Sequence, residues 1–301
     1  MAYRGPVRLA VIIPVFNERA TLAEVIARID AVAPPTDAQA GTDRLGFKVG
    51  HIEEVRPCGE EIDASGEVAI KAARLGEADG RVMARTLALV DDASTDGSRE
   101  IVEGLGARPD IAAKLLHTNG GKGSAVAEGL RTALELDADV ALIHDADFEY
   151  DPRDHASAVR PIIERRADAV IGSRFAARRT QAPVGLVRGW AFERQAANRL
   201  LTALSNLTTG LSLTDMECCT KAFSRAVLKR LEIREQRFGL EPEIVARLAA
   251  MTLPTDATER PVRVMEVPVS YDPRGYDEGK KITWRDGVAA VRCILKYAPA
   301  R

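Results

Sequence analysis

Nowhere in the 301 residues does an apolar run approach the ~20 residues that a membrane-spanning helix needs. The start of the chain, 1–14, holds only the short apolar run Leu9–Ile13 and lacks the longer hydrophobic stretch and small-residue site of a secretory leader. Charge of one sign is not in excess either: 42 basic residues against 44 acidic give a net −2, so a strongly basic nucleic-acid binder is excluded at the level of composition. Cysteine is scarce. Cys58, Cys218, Cys219 and Cys293 contain no C-x-x-C pair, which argues against a zinc site and a disulfide framework and for a reduced, cytoplasmic protein. Internal repeats and low-complexity tracts are absent as well.

What is present is an ordinary globular composition, 46% hydrophobic and 29% charged, long enough for a sizeable core. Leu9–Pro14 is a short β-branched run that reads as a buried strand. Thr21–Val32 carries Leu22, Val25, Ile26, Ile29 and Val32 at helical spacing, with Thr21 and Glu24 placed for a capping box. Residues 33–85 open on Pro34-Pro35, are rich in glycine and charge, and read as an insertion, with a strand-like piece at 47–55 and a helical one at 68–75.

The β/α rhythm then resumes. Strands are expected at 86–91, 113–117, 138–144 and 168–172, and helices at 97–105, 122–136 and 152–166. Helices at 188–207 and 241–251, a strand at 263–271 and a last helix at 284–297 complete the chain. This alternation predicts an α/β fold: a single, mostly parallel sheet covered by helices, with ligands at the edge formed by the strand carboxyl ends.

Carboxylates gather at those ends. Asn17-Glu18 follows the first strand, Asp91-Asp92 the second, and Asp145-Ala-Asp147 with Glu149 a later one. One such group is ordinary turn chemistry. Three at successive strand ends repel one another across a cleft, and a divalent cation, Mg²⁺ or Mn²⁺, would relieve that repulsion. Asn119-Gly-Gly-Lys122-Gly-Ser124 precedes a helix and suits an anion at its N-terminus, although it is neither a Walker A loop nor G-x-G-x-x-G. Arg174, just after a strand, is placed for a diphosphate.

Together, Val11-Ile-Ile-Pro-Val-Phe-Asn-Glu18, Val90-Asp-Asp-Ala-Ser-Thr-Asp-Gly97, Asn119–Gly123, Asp145–Asp147 and Gly172-Ser-Arg174 resemble glycosyltransferase family 2. The likeness is nearest to its dolichyl-phosphate mannose synthase and polyprenyl-phosphate glycosyltransferase branch, and it covers 9–32 and 86–297. It implies a GT-A fold as one domain over 1–301, in which 9–175 binds a UDP- or GDP-linked sugar and 176–301 forms the acceptor side. By position, Pro14, Phe16 and Glu18 would line the nucleoside pocket. Asp91 would meet the base with Asp92 nearby, and Asp145 and Ala146 the ribose and phosphate. Lys122 and Arg174 would serve the donor phosphates. Asp147 would be the main metal ligand and Glu149 a second, at a place where the family often has Gln.

Thr214–Lys221 and Arg237–Glu243 resemble acceptor-side segments. Arg274–Lys281 resembles a basic loop in which Arg274, Lys280 and Lys281 would neutralise phosphates. The expected reaction is an inverting transfer to a polyprenyl phosphate. A hydroxyl acceptor is the alternative and would need a base, with Asp215 first, then Glu217 and Glu241. A nucleotidyltransferase is the other enzyme class weighed, but Pro14–Glu18 stands where those enzymes carry a Gly- and Arg-rich loop. The last helix, with Arg285, Arg292 and Lys296 beside apolar residues, either packs on the core or lies on the inner membrane face. A homo-oligomer is compatible with all of this.

Overall fold

The computed structural model describes residues 7–32, 47–48, 51–52, 84–176, 192–237, 239–256, 258–273 and 284–299. In chain order the strands are β1 (Arg8–Val15), β2 (Phe47–Lys48), β3 (His51–Ile52), β4 (Ala84–Asp91), β5 (Ile111–Leu115), β6 (Val140–Ile143), β7 (Ala169–Ser173), β8 (Lys221–Ser224), β9 (Thr252–Pro254), β10 (Glu259–Pro261) and β11 (Val264–Pro268). The helices are α1 (Leu22–Ala31), α2 (Ser98–Leu105), α3 (Lys122–Glu135), α4 (His155–Ile163), α5 (Phe192–Thr209), α6 (Arg225–Leu228), α7 (Leu240–Ala250) and α8 (Trp284–Lys296).

Seven strands form one sheet in the order β11-β7-β8-β6-β1-β4-β5. β1 is parallel to both β4 and β6, and β11 to β7. β1 alternates its side chains between the two faces: Leu9, Val11, Ile13 and Val15 meet Leu22, Val25, Leu89, Val102 and Val159, while Ala10 and Ile12 meet Val126, Leu130, Phe223, Ile244 and Ile294. Helices α1, α2 and α4 therefore cover one face, and α3, α7 and α8 the other. Gly129 of α3 lets that helix approach closely, since a Cβ there would lie 2.2 Å from Ile12 Cγ2.

The expected β/α order holds for the described residues, with corrections; the short helix α6 and the antiparallel pair β9–β10 are additions to it. The strand β8 was not anticipated, because four residues beginning with a lysine carry no apolar run. It is antiparallel to both neighbours, with Lys221 opposite Ile143 on one side and Ile171 on the other. Its start therefore lies at the edge where the parallel strands finish. The capping box at α1 does not form: no side-chain cap bond is made, and Thr21 Oγ1 lies instead 2.7 Å from Glu18 Oε2 and 2.9 Å from Ala146 O. Pro152–Asp154 is a 3-10 turn before α4 rather than part of it. Within the insertion, β2 and β3 pair with each other; the helical expectation at 68–75 lies outside the described residues.

Candidate active site

Three parallel strands bring their carboxyl ends together. β4 and β6 flank β1, so Asp91 and the loop after Ile143 stand about 10 Å apart, two strand spacings, on one edge. The turn after β1 is stitched to the loop after β4. Asn17 adopts a positive φ of 57°, its amide donates to Ser94 Oγ at 3.0 Å, its Oδ1 accepts from Thr95 N, and Glu18 N donates to Ser98 Oγ at 2.8 Å.

The acidic groups come together as expected, but most of the compensating charge comes from the chain itself. Asp91 is fully buried and accepts from Arg99 Nη1 at 2.8 Å, and Arg99 also binds Leu116 O. The expected contact of Asp91 with a base is thus corrected, since its carboxylate faces the interior and orders the strand exit. Asp92 accepts from Gly120 N at 2.9 Å, Gly121 N at 2.6 Å and Asn119 Nδ2 at 3.0 Å. The anion held by the glycine loop is therefore Asp92, although burial still pushes its pKa above the usual carboxylate range.

The glycines serve packing. Gly121 has φ +83°, and a Cβ on Gly123 would come within 1.9 Å of Glu235 O. Lys122 Nζ meets Asp145 Oδ1 at 2.7 Å and Glu241 Oε1 at 3.9 Å, so it compensates Asp145 rather than standing ready for a phosphate. Burial opposes both charges, but their attraction wins, holding Asp145 below and Lys122 well above their ordinary values.

Asp147 is buried, with Oδ1 accepting from Glu149 N at 3.0 Å, and Glu149 lines a neighbouring cleft of about 460 Å³ with Tyr150 and Tyr271. Ala146 is buried and Pro14 half-buried, while Phe16 is exposed at the mouth and Glu18 half-buried beside Thr21. Behind the loop, His155 Nε2 and His144 Nδ1 are 3.1 Å apart, and burial lowers His144 to about 4, so this pair is neutral.

The second wall comes from the segment entering β8. Asp215 is 0% exposed and accepts from Arg174 N at 3.0 Å, Arg174 Nε at 2.7 Å, Arg174 Nη2 at 2.8 Å and Asn198 Nδ2 at 2.9 Å. Burial raises its pKa, but the guanidinium outweighs that and holds it below the ordinary value. Asp215, first among the expected bases, is instead the anchor that aims Arg174: its oxygens are occupied and its proton affinity is low.

Glu217 differs. Its Oε1 is buried without a hydrogen-bond partner, and burial, then the charge of Glu241, pushes its pKa up to about 8. Glu241 is buried beside Lys122, with Cys219 Sγ at 4.0 Å from its Oε1. Arg274, Lys280 and Lys281 lie outside the described residues.

Several site residues carry no motif of their own. Asn198 on α5 fixes Asp215. Glu266 on β11 accepts from Thr214 N at 2.7 Å and Asp215 N at 3.0 Å, and Tyr271 lies 5.1 Å beneath the Arg174 guanidinium. The alternation of β11 marks Glu266 as facing inward, while Asn198 and Tyr271 leave no local signal.

Among the described residues no group of three His, Cys, Asp or Glu side chains could hold a metal by itself. Two carboxylates, Asp147 and Glu149, fit the weaker requirement of Mg²⁺ or Mn²⁺, which takes one or two protein carboxylates and completes its shell with substrate phosphates and water.

The family model for glycosyl transferase family 2 matches residues 84–232, just under half of the chain. Undecaprenyl-phosphate mannosyltransferase of Micrococcus luteus is 28% identical over 197 residues, 64% of this chain and 74% of that protein. Polyprenol monophosphomannose synthase of Mycolicibacterium smegmatis is 26% identical over 147 residues, 48% of this chain and 53% of that protein. The chain spans about half the length of that synthase and of other curated relatives that it matches.

Glucosyl-3-phosphoglycerate synthase of Mycobacterium tuberculosis, solved with Mn²⁺, UDP and phosphoglyceric acid, aligns with TM-score 0.54 at 16% identity over 98% of this chain and 79% of that one. At that identity the likeness speaks to the fold. The fold is that of a GT-A glycosyltransferase, and residues 84–232 are similar to glycosyl transferase family 2.

Proposed function

We propose that the chain transfers a sugar from a nucleotide-diphospho-sugar to a polyprenyl phosphate, with inversion at the anomeric carbon. The observation that supports this reading is the placement of two unlike groups at the segment entering β8: Arg174, held by Asp215 and available to the donor diphosphate, and Glu217, a carboxyl with an unpartnered buried oxygen on the side of the acceptor. The names of the Micrococcus and Mycolicibacterium relatives, both polyprenyl-phosphate enzymes, support the acceptor class.

Arg174 binds the departing diphosphate and disperses the charge that builds as the glycosidic bond breaks. Asp147, with Glu149, would hold a divalent cation, which supplies Lewis-acid stabilisation of the same leaving group. Lys122 keeps Asp145 ionised and in place. A phosphate acceptor is already anionic and needs no base. Glu217, protonated at neutral pH, then donates its proton in a hydrogen bond to the incoming phosphate oxygen rather than repelling it.

A hydroxyl acceptor is the second reading, and the same residue favours it if Glu217 works ionised as the base. The two readings predict opposite pH profiles. With a phosphate acceptor, turnover falls as pH rises through about 8; with a hydroxyl acceptor it rises there.

The direct test of the donor side is Asp147→Asn. We expect a loss of about 10²-fold or more in transfer with Mn²⁺ present, the size typical for one electrostatic group. Manganese binding, followed by the relaxation of water protons in the presence of the nucleoside diphosphate, should weaken in step. Transfer near the wild-type rate would remove Asp147 from the assignment.

A further inference from the structure

Two tyrosines that carry no motif join the loops of the cleft. Tyr150 directly follows Glu149 in the loop after β6, and Tyr271 lies three residues beyond the end of β11. Their backbones form an isolated antiparallel bridge, and Asp272 N donates to Glu149 O at 2.9 Å. Their rings stand 5.3 Å apart at 51°, a spacing at which aromatic pairs attract beyond their buried area. Tyr150 is buried, and its hydroxyl accepts from Cys219 N at 3.3 Å, two residues beyond Glu217.

Tyr271 reaches two of the groups assigned to the leaving diphosphate. Its ring lies 5.1 Å beneath the Arg174 guanidinium, a cation–π distance. Glu149 and Tyr271 both line the cleft of about 460 Å³ and Arg174 does not, so the ring separates that space from the guanidinium. The phenol feels both charges: burial, and after it Glu149, push its pKa up, and Arg174 opposes them. Asp215 grips the guanidinium by one edge, through Nε and Nη2. That fork sets where the guanidinium points, and a ring against its face stops it from tilting.

We propose that Tyr271 is a positioning residue for the leaving group: its ring holds the face of Arg174, and its bridge to Tyr150 fixes the span from Arg174 to the carboxylates of the Asp147–Glu149 loop. The inference rests on reading Arg174 and that loop as partners of one donor diphosphate. Arg174 directly follows β7, whereas Asp147 lies four residues beyond β6, with β8 between the two strands. The sheet therefore sets the strands but not the reach of the loop, and the tyrosine bridge supplies the missing tie. Two groups that grip one diphosphate act together only at one separation, and a misplacement of about 1 Å can cost about 10²-fold in rate.

The test uses the full chain. Affinity for UDP and for GDP is measured by calorimetry with and without Mn²⁺, and turnover as hydrolysis of UDP-glucose and GDP-mannose with water as the acceptor. Free nucleoside diphosphate carries the extra charge that the leaving group gains, and the nucleotide sugar does not. Y271M, which fills the space without a π face, should therefore lose at least about tenfold in turnover and in nucleoside diphosphate affinity, while KM for the nucleotide sugar moves by less than about threefold. Y271F keeps the ring and the bridge and should stay within about threefold of wild type throughout. Because Tyr271 acts through Arg174, R174K/Y271M should turn over within about twofold of R174K alone.

Hydrogen exchange on the unaltered protein gives a readout without mutation: the nucleotide that binds, with Mn²⁺, should slow exchange in 269–273 and not in α2. Y271M equal to wild type, Y271F as slow as Y271M, losses that multiply in R174K/Y271M, or exchange in 269–273 indifferent to the nucleotide would each overturn the inference and leave the donor reading standing. Failure of the wild type to bind either nucleotide would end the donor reading, and this inference with it.

Discussion

The two walls of the cleft treat their carboxylates differently. On the wall proposed to take the donor, formed by the exits of β1, β4 and β6, Asp91, Asp92 and Asp145 are each matched by a cation or by backbone amides from the same half of the chain. On the wall proposed to take the acceptor, entered through β8, Asp215 is saturated by Arg174 while Glu217, two residues on, keeps a buried oxygen without a partner. A fully matched wall is rigid and pre-organised before any ligand arrives. A mismatched carboxyl can persist only by holding its proton, and it gives that wall a hydrogen-bond donor where a chain of carboxylates would otherwise repel an anionic acceptor.

The contrast breaks most severely at Asp215. Asp215→Asn keeps the shape but leaves the buried guanidinium of Arg174 without its counter-charge. Removing one partner of a buried pair costs about 3–5 kcal/mol, so urea unfolding should show a loss of that order. Transfer should fall at least about 10²-fold, because Arg174 is no longer aimed at the diphosphate. A variant within about 0.5 kcal/mol of wild type, the range of ordinary surface changes, would show that the pair does not organise the wall.

Glu217 offers a gentler break. Its carboxyl is raised to about 8 in the fold against the ordinary 4.5, so between those values the native chain holds a proton that the unfolded chain has released. The sign follows: this contribution is fully present below about 4.5, declines as pH rises, by at most about 1.4 kcal/mol per pH unit, and is gone above about 8. Glu217→Gln, which cannot ionise, should remove that slope. Melting temperatures of the two proteins from pH 5 to pH 9 are the check. Parallel curves would mean that Glu217 is already ionised in the fold and that the walls are alike.

How much of this was readable beforehand divides along the same line. The donor wall announced itself, because β1, β4 and α3 are long, strongly patterned segments and their acidic ends sit within a few residues of the last apolar position. What the pattern could not reveal was the partner of each acid. Lys122 and Asp145 are 23 residues apart and meet only through the sheet order, and the amides that bind Asp92 belong to a loop whose glycines look equally suited to a phosphate. On the acceptor wall β8 escaped notice because Lys221, whose Nζ donates to Cys218 O, is fully buried at its start, against the usual preference of lysine for solvent. The helix carrying Asn198 was legible, but the role of Asn198 was not. That its polar face, Gln195, Asn198 and Thr202, points inward is a property of the packing, where Asn198 meets Asp215.

The smallest expected effect sharpens the comparison on the donor side. Thr21 sits at the start of α1, where its hydroxyl lies 2.7 Å from Glu18 Oε2, 2.9 Å from Ala146 O and 3.3 Å from Glu18 O. A hydroxyl has one proton to give, so one of these oxygens receives it. The contact with Ala146 O ties the β1 turn to the loop that carries Asp145 and Asp147. Thr21→Val keeps the branched shape and removes the donor. Because that side chain is half-buried rather than sealed, water replaces part of the lost bond, and the cost should stay near 1 kcal/mol. If the donor wall is rigid through many redundant ties, as its matched carboxylates imply, KM for the nucleotide sugar should change by less than about threefold, the equivalent of some 0.6 kcal/mol. A tenfold rise in KM with unchanged stability would show instead that the donor loop hangs on this one hydroxyl, and that the two walls differ in the number of their supports and not in how well their charges are matched.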